Sequence, residues 1–205
     1  AETDDALLER YLEDEHLSDD DVEHAFDAAV RAGNLVPMVA GSGLRGVGME
    51  VLMDLINRAV PPPTEHAAVV GKDPKTGAEI VRTADPAAPF SARVVKTIAD
   101  PFAGRLSVFR VISGTLRPDS SFYNSTREAR ERFGHLFVLE GKKQVAVDSA
   151  GPGTIVAVAK LKETLTGDTQ CDEKHPILYP PLKEYPAAVT FAVQAASRGD
   201  EDKLA

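Results

Sequence analysis

Residues 89–114 read PFSARVVKTIADPFAGRLSVFRVISG. The stretch holds two β-branched runs, 90–98 and 106–112, in which hydrophobic side chains largely alternate with polar ones. That period is typical of strands with one face in a core. Asp100-Pro101 lies between the runs and Ser113-Gly114 follows the second, and both dipeptides favour turns. The stretch therefore predicts two consecutive strands of a β domain.

Similar short runs continue the pattern toward the C-terminus, at residues 121–126, 132–139, 144–147 and 154–161. Turn signals rich in Gly, Pro and Asp separate these runs, and no helical pattern lies between them. Short strands at this spacing predict an all-β domain, a small closed β-barrel, over residues 90–180.

The first sixty residues have a helical pattern instead. Thr3 and Ser18 are predicted to cap two helices, and Gly33 to end the second. Residues 35–40 predict a buried strand, and a Gly-rich turn then leads into a third helix. The side chains of that helix expected to face inward are Val51, Leu52, Leu55, Ile56 and Ala59. Residues 1–63 therefore predict part of an α/β layer that is too short to be a complete α/β domain.

Two shorter regions complete the predicted organisation. Residues 64–89 form a linker in which runs 67–70 and 79–82 flank the turn sequence 73–77, which predicts a β-hairpin. Residues 181–205 contain one strand-like run, 188–193, and are predicted to begin a further domain.

The charge is distributed unevenly along the chain of 205 residues, whose net charge is −9. Residues 1–60 carry 4 Lys/Arg against 14 Asp/Glu, whereas residues 89–143 carry 10 against 5. A locally basic face in an acidic protein can contact a phosphate backbone, although a mixed solvated surface explains the same counts. A single cysteine excludes a disulfide scaffold, and no apolar run reaches membrane-spanning length. We therefore expect a cytoplasmic protein with no membrane partner.

Candidate catalytic motifs are weak. Gly41, Gly43 and Gly46 match the dinucleotide fingerprint G-x-G-x-x-G, but the following helix ends at three prolines instead of leading to a second parallel strand. No G-x-x-x-x-G-K-[ST] sequence occurs, the histidines lack metal-ligand spacing, and Cys171 has no activating neighbour in the sequence. We expect no catalytic residues and no metal site in this chain.

Several longer motifs together resemble a known family. The runs KTIADPFAGRL (96–106), FRVISGTL (109–116), YNST (123–126) and LTGDTQCD (165–172) resemble, in this order and spacing, the second domain of bacterial elongation factor G. Residues 10–13 and 36–42 resemble the end of its GTP-binding domain, and 199–204 the opening of its third domain. Residues 139–144 (LEGKKQ) resemble the subgroup called elongation factor G-like proteins.

The resemblance implies the C-terminal part of a P-loop GTPase domain joined to a β-barrel of the translation-factor type. The full-length protein would be a GTPase that binds the ribosome and couples GTP hydrolysis to tRNA and mRNA movement. GTP or GDP with Mg²⁺ is expected there, and no cofactor in this chain, which lacks the P-loop and switch segments and should be inactive alone. Ser42 and Gly43 match the family's Ser-Ala loop, whose backbone amides face the guanine, with Gly in place of Ala.

The family's barrel faces the RNA of the small ribosomal subunit, so basic residues in or beside predicted turns are candidate rRNA contacts. These are Arg105, Arg127, Arg130, Lys142 and Lys143. We expect a monomer that binds no DNA. Two alternatives stay open: a stand-alone RNA- or protein-binding β-barrel, and another translational GTPase such as a release or ribosome-protection factor.

Overall fold

The structure, a computed structural model, describes residues 5–14, 16–65, 68–100, 104–141, 143–183 and 187–197. Its helices are α1 (Asp5–Asp14), α2 (Asp19–Arg31) and α3 (Met49–Ala59), followed by a 3-10 turn at Pro63–Glu65. Ten strands follow within the described residues: β1 (Val69–Lys72), β2 (Glu79–Arg82), β3 (Ser91–Asp100), β4 (Gly104–Ser113), β5 (Ser121–Asn124), β6 (Ala129–Arg132), β7 (Phe137–Glu140), β8 (Lys143–Ala146), β9 (Ile155–Ala159) and β10 (Thr169–Cys171).

Helix α2 begins where the sequence predicts. The hydroxyl of Ser18 accepts a hydrogen bond from the Asp21 backbone N–H at 3.2 Å, which satisfies one of the free N–H groups of the first turn. The same hydroxyl donates to the Asp21 carboxylate and, with Arg10 at 3.0 Å, lowers the pKa of Asp21. Gly33 follows the helix with φ of 75°, which suits glycine at a helix end. Thr3 lies outside the described residues.

The helices α2 and α3 are joined mainly by charge. Arg58 of α3 forms ion pairs with Glu23 and, at 2.9 Å, with Asp27 of α2. Arg31 of α2 binds the Arg58 carbonyl at 2.7 Å and Glu65 at 2.5 Å. These pairs connect the two helices at their partly exposed faces.

Two predictions for this region are wrong. Residues 35–40 form no strand, because no neighbouring strand among the described residues pairs with them, and Val36 and Met38 are 85% and 95% exposed. Of the five side chains expected to face inward from α3, only Ala59 is buried. The others lie exposed or half-buried because no described element covers that side of the helix.

The β domain is one eight-stranded antiparallel sheet with the order β6-β5-β10-β3-β4-β9-β7-β8. The longest pair is β3–β4. Its register runs from Ser91 opposite Ser113 to Asp100 opposite Gly104 and shifts at two points. The predicted closed barrel is not observed, because β6 and β8 lie at opposite ends of this order and no described ladder joins them. The chain leaves β6 at residues 133–136, and these residues contribute buried side chains, Phe133 and Leu136, rather than a strand that could close the sheet.

The larger of two described hydrophobic clusters lies against this sheet, and a smaller one surrounds Cys171, Ile177 and Tyr179. Phe109 of β4 is completely buried, and its ring meets Phe122 of β5 edge-on at 6.1 Å between centroids. Phe122 also packs against Phe133 at 5.4 Å. Strands from both halves of the sheet order therefore share one core, as the alternating pattern predicts.

The predicted hairpin in the linker is confirmed as β1–β2, and it packs on the β domain. Lys72 and Leu178 exchange two backbone hydrogen bonds of 2.8 Å. Gly71 lies so close to Ile177 that an added Cβ would come within 2.6 Å of the Ile177 Cγ1. In the turn, the carboxylate of Asp73 accepts the N–H groups of Lys75 and Thr76, which lowers the pKa of Asp73.

Other strand predictions need adjustment. The expected strand 132–139 is interrupted, since only its ends belong to β6 and β7, and the short strand β10 was not predicted. Residues 188–193 form no strand, and Val189 and Phe191 are 68% and 81% exposed. A hydrophobic run becomes a strand only where a neighbouring backbone accepts its hydrogen bonds, and no described strand does so here.

Replacing Phe109 with Ala should destabilise the protein by about 3–5 kcal/mol, because it removes the ring at the centre of the core and leaves a cavity. Urea unfolding of F109A and the unsubstituted chain measures this loss. The control is F191A, which removes the same group from an exposed position and should change the free energy of unfolding by about 0.5 kcal/mol or less. Equal effects of the two substitutions would contradict the location of the core.

Candidate nucleotide loop and RNA-contact residues

Residues 41–48 form a tight loop that leads into α3. Ser42 and Val47 form an isolated antiparallel bridge, in which the Ser42 N–H donates to the Val47 carbonyl at 2.9 Å. Gly48 precedes α3 with φ of 77°, and a Cβ there would lie 2.5 Å from the Ala40 carbonyl oxygen. Glycine is therefore required at residue 48 by both the backbone conformation and the close approach of residue 40.

The two predicted guanine-loop residues differ in what they can still bind. The Ser42 N–H is already used within the loop, whereas the exposed Gly43 donates its N–H to no acceptor in the described parts of the chain. A Cβ at Gly43 would meet nothing within 4 Å, so alanine, the family's residue, fits this backbone. The loop can thus offer the Gly43 N–H to a carbonyl oxygen of a ligand, beside those of Leu44 and Gly46, which also have no acceptor among the described residues. No phosphate-binding loop occurs among the described residues.

The geometry does not favour the dinucleotide alternative. A dinucleotide fingerprint joins a strand to a helix, but residues 35–40 do not form a strand. The bridge between Ser42 and Val47 also closes the loop on itself.

Arg105, a predicted RNA contact, has a role inside the protein. Its guanidinium donates to the carbonyls of Leu161 and Lys162 at 2.8 and 2.5 Å, and the side chain is partly buried. It therefore holds the segment after β9 against the start of β4. Part of its hydrogen-bonding capacity is used there.

The other predicted RNA contacts are more exposed. Arg127 keeps 43% of its side chain exposed while binding Asp168 at 3.2 Å, and Arg130, 65% exposed, pairs with Glu173. Lys143 is exposed at the start of β8 and has no described ion pair. Lys142 lies outside the described residues. The structure places Arg127 and Arg130 close together on the β5–β6 hairpin, and Lys143 at the other end of the strand order.

The conspicuous motif residues of the β domain form an internal polar network. The carboxylate of Asp168 is 2% exposed and accepts hydrogen bonds from Asn124 Nδ2 and the Leu165 N–H, each at 2.9 Å, as well as from Arg127. The LTGD and YNST sequences therefore meet through this one carboxylate. Their shared role is to connect the β5–β6 hairpin to the segment before β10.

A second buried carboxylate, Glu131 of β6, extends the network. It accepts the N–H groups of Lys162 and Glu163 at 2.5 and 3.0 Å, and the hydroxyl of Thr164. Thr164 in turn accepts a hydrogen bond from Gln170 Nε2 at 2.9 Å. Sequence reasoning did not single out Glu131, since an acid in an alternating charged run is normally solvent-exposed, and only the tertiary fold shows its partners.

Cys171 is completely buried in β10, and burial raises the pKa of its thiol. Its Sγ lies 3.6 Å from the Tyr123 carbonyl oxygen. In the parts of the chain that the structure describes, no group of three or more His, Cys, Asp or Glu side chains could hold a metal ion. None of the described helices has the length and apolar character needed to cross a bilayer.

Comparison with known proteins agrees with the motifs. Residues 89–173 match the family model described as Elongation factor G domain 2. The chain is 38% and 37% identical, over 204 residues, to proteins named Elongation factor G from two strains of Dehalococcoides mccartyi. Residues 89–173 are therefore an elongation factor G domain 2, and the whole chain is similar to part of elongation factor G. The matches cover 100% of this chain and 29% of each relative, so the chain spans less than a third of their length.

A solved structure has a similar fold. A crystal structure of a protein from Thermus thermophilus covers 99% of this chain with a TM-score of 0.64 and 31% sequence identity. This chain corresponds to 28% of that protein. The resemblance predicted from the motifs is thus confirmed.

Replacing Asp168 with Ala should cost about 3 kcal/mol of stability, because it removes the acceptor of the Leu165 N–H and the closer acceptor of the Asn124 amide, which then keeps only Thr164 Oγ1 at 3.4 Å. Arg127 adds little to this cost, since it stays hydrated. Thermal or urea unfolding measures the effect, with D148A as the control because Asp148 is exposed and has no described partner. A D168A variant as stable as D148A would show that the network does not hold the hairpin.

Cys171 should react with iodoacetamide at pH 8 at least about tenfold more slowly in the folded chain than in urea, because only the exposed thiolate attacks. Since burial raises the pKa of the thiol, the rate in the folded chain should keep rising above pH 9. Mass spectrometry of the labelled chain gives both rates, and the single cysteine makes the label unique. Equal rates in the two states would contradict the burial.

Proposed function

We propose that this chain is the part of a translational GTPase that carries its guanine loop and a ribosome-facing β domain. The full-length protein would act in the cytoplasm as an elongation factor, binding GTP or GDP with Mg²⁺ and coupling hydrolysis to movement of tRNA and mRNA on the ribosome. Within the family we assign it to the elongation factor G-like subgroup on residues 139–144. The observation that carries the nucleotide part is the unoccupied backbone donor of Gly43 in its closed loop.

The surroundings of that loop support the proposal. Val36, Met38 and Leu44 are 85%, 95% and 99% exposed, and Val47, Val51 and Met53 are more than half exposed. Exposed apolar surface of this extent is characteristic of an interface. The relatives are more than three times longer than this chain, and we infer that a further part of the polypeptide, with the remaining nucleotide-binding residues, covers this face.

The contacts of the basic residues support different roles for them in RNA binding. Arg105 and Arg127 are tied to the protein by Leu161, Lys162 and Asp168, so they mainly shape the surface. Arg130 and Lys143 are the exposed cations that can be presented to rRNA phosphates of the small subunit. Phosphate contacts of this kind position a protein on RNA without reading the base sequence.

Sequencing the coding region upstream of residue 1 tests the assignment to a GTPase directly. An in-frame G-x-x-x-x-G-K-[ST] followed by N-K-x-D is the expected result, since these motifs bind the phosphates and the guanine base. A start codon immediately before the first residue would instead favour a stand-alone binding module.

In the full-length protein, Gly43→Pro should weaken GDP binding about tenfold, because it removes the backbone donor to the guanine. Gly43→Ala is the matched control and should bind GDP normally, since its Cβ has free space. Fluorescence titration with a labelled GDP measures both affinities. Equal affinities of G43P and G43A for GDP would show that the backbone of residue 43 does not bind the guanine.

Arg130→Gln and Lys143→Gln should each weaken binding of this chain to isolated small ribosomal subunits. Each lost phosphate contact should reduce the slope of log K against log salt by about 0.7–0.9. Filter binding at several salt concentrations measures the slopes. The control is Lys75→Gln in the β1–β2 turn, an equal charge change that should leave the slope unaltered; three identical slopes would refute these contacts.

A further inference from the structure

A cleft of about 470 Å³ lies beside the linker hairpin and is lined by residues of β2, β3 and β4. Three arginines line it: Arg82 of β2, Arg93 of β3 and Arg110 of β4. Apolar side chains, among them Val69, Val95 and Leu182, form the rest of its wall. The volume lies in the range of about 300–1,000 Å³ found for small-ligand pockets.

The arrangement of charge in this cleft is unusual. Arg93 and Arg110 are directly opposite each other in the β3–β4 register, a position in which like charges destabilise a sheet. No Asp or Glu lines the cleft in the described parts of the chain. By contrast, Arg58, Arg127 and Arg130 all pair with carboxylates. The cleft therefore concentrates positive charge without an internal counterion.

Two of these guanidinium groups are held in place but are not fully bonded. Arg82 donates one Nη hydrogen to the His175 carbonyl at 3.0 Å, and Arg93 donates one to the Pro180 carbonyl at 2.6 Å. The Nε of each is buried and has no acceptor within the described residues. These Nε atoms are closed to a ligand, but the second Nη group of each arginine has no hydrogen bond among the described residues and is not buried, so it can meet an external acceptor.

Arg93 and Arg110 complete the site in different ways. The guanidinium of Arg93 lies over the Tyr179 ring, 5.6 Å from its centroid, which fixes the orientation of its plane. Burial lowers the pKa of Arg93, as expected for a cation that has lost part of its hydration. Arg110 is exposed and its side chain has no ion pair or hydrogen bond among the described residues, so it is available to a ligand at the mouth of the cleft.

We propose that this cleft binds a nucleoside 5′-phosphate, either as a free nucleotide or at the end of an RNA strand. Guanidinium groups bind phosphate oxygens through two hydrogen bonds at once, and a phosphate monoester carries about −1.5 to −2 charge against the three arginines. A carboxylate would neutralise less of this charge. The apolar wall accommodates the base and ribose. The site shares no residue with the guanine loop or the RNA-contact residues, so it goes beyond the proposed function.

Titration of the unsubstituted chain with AMP provides the test, because AMP does not depend on a guanine-specific loop. Calorimetry gives the affinity, and NMR of the arginine Nε–H groups reports the site. AMP should shift the Nε–H resonances of Arg82 and Arg93, because a phosphate bound to the Nη groups changes the environment of the whole guanidinium. Arg110→Gln should weaken AMP binding about tenfold. Arg132→Gln, an exposed arginine of β6 outside the cleft, is the matched control and should bind AMP normally.

The competing outcomes are distinct. No Nε–H shift at millimolar AMP, or equal losses in R110Q and R132Q, overturns the site. If inorganic phosphate binds as tightly as AMP, the proposal that the site recognises a nucleoside is overturned, since the apolar wall would then contribute nothing. A 5′-phosphorylated hexaribonucleotide that binds more tightly than AMP identifies an RNA end as the source, and the reverse order identifies a free nucleotide. Both orders support the proposal, and none of these results depends on GTP binding or on ribosome binding.

Discussion

The buried carboxylate of Asp168 is the interaction on which the arrangement of the β domain depends. It connects Asn124 at the end of β5, Arg127 in the β5–β6 turn and the backbone of Leu165. Strand β10 begins at the next residue and pairs with both β5 and β3. An ionised carboxylate is stable in such a place only when several donors surround it, so the same contacts that satisfy Asp168 bring the β5–β6 hairpin to β10.

Glu131, on the neighbouring strand β6, is likewise a buried carboxylate surrounded by hydrogen-bond donors. Its two oxygens satisfy the backbone N–H groups of Lys162 and Glu163 and the hydroxyl of Thr164, in a segment that has no strand partner of its own among the described residues. Arg105 holds the carbonyls of the same segment from the other side. A connection between strands is thus fixed by side chains, which supply the donors and acceptors that a sheet would otherwise provide. Family motifs in this domain are therefore largely structural.

The arginines illustrate why charge counts alone cannot locate a binding surface. In the sequence, Arg105, Arg127 and Arg130 look equivalent, since all are basic residues in or beside turns. In the fold, Arg105 binds backbone carbonyls and Arg127 binds a buried acid, whereas Arg130 stays largely exposed. Arg82 belongs to the linker hairpin and Arg93 and Arg110 to the β3–β4 pair, and only the packing of the hairpin on the β domain brings the three to one cleft.

Local sequence was enough to predict the linker hairpin, most of the long strands and the start of α2, because spacing, turn residues and caps act over a few neighbours. The longer motifs carried the resemblance to elongation factor G. By resemblance the sequence also predicts Ser42 and Gly43 as guanine-loop residues. Tertiary structure decided which apolar runs become strands: 106–112 has partners on both sides, whereas 35–40 and 188–193 have none among the described residues. It likewise left the sheet open between β6 and β8 and buried Glu131. These outcomes depend on long-range hydrogen bonds and packing, which residue spacing does not record.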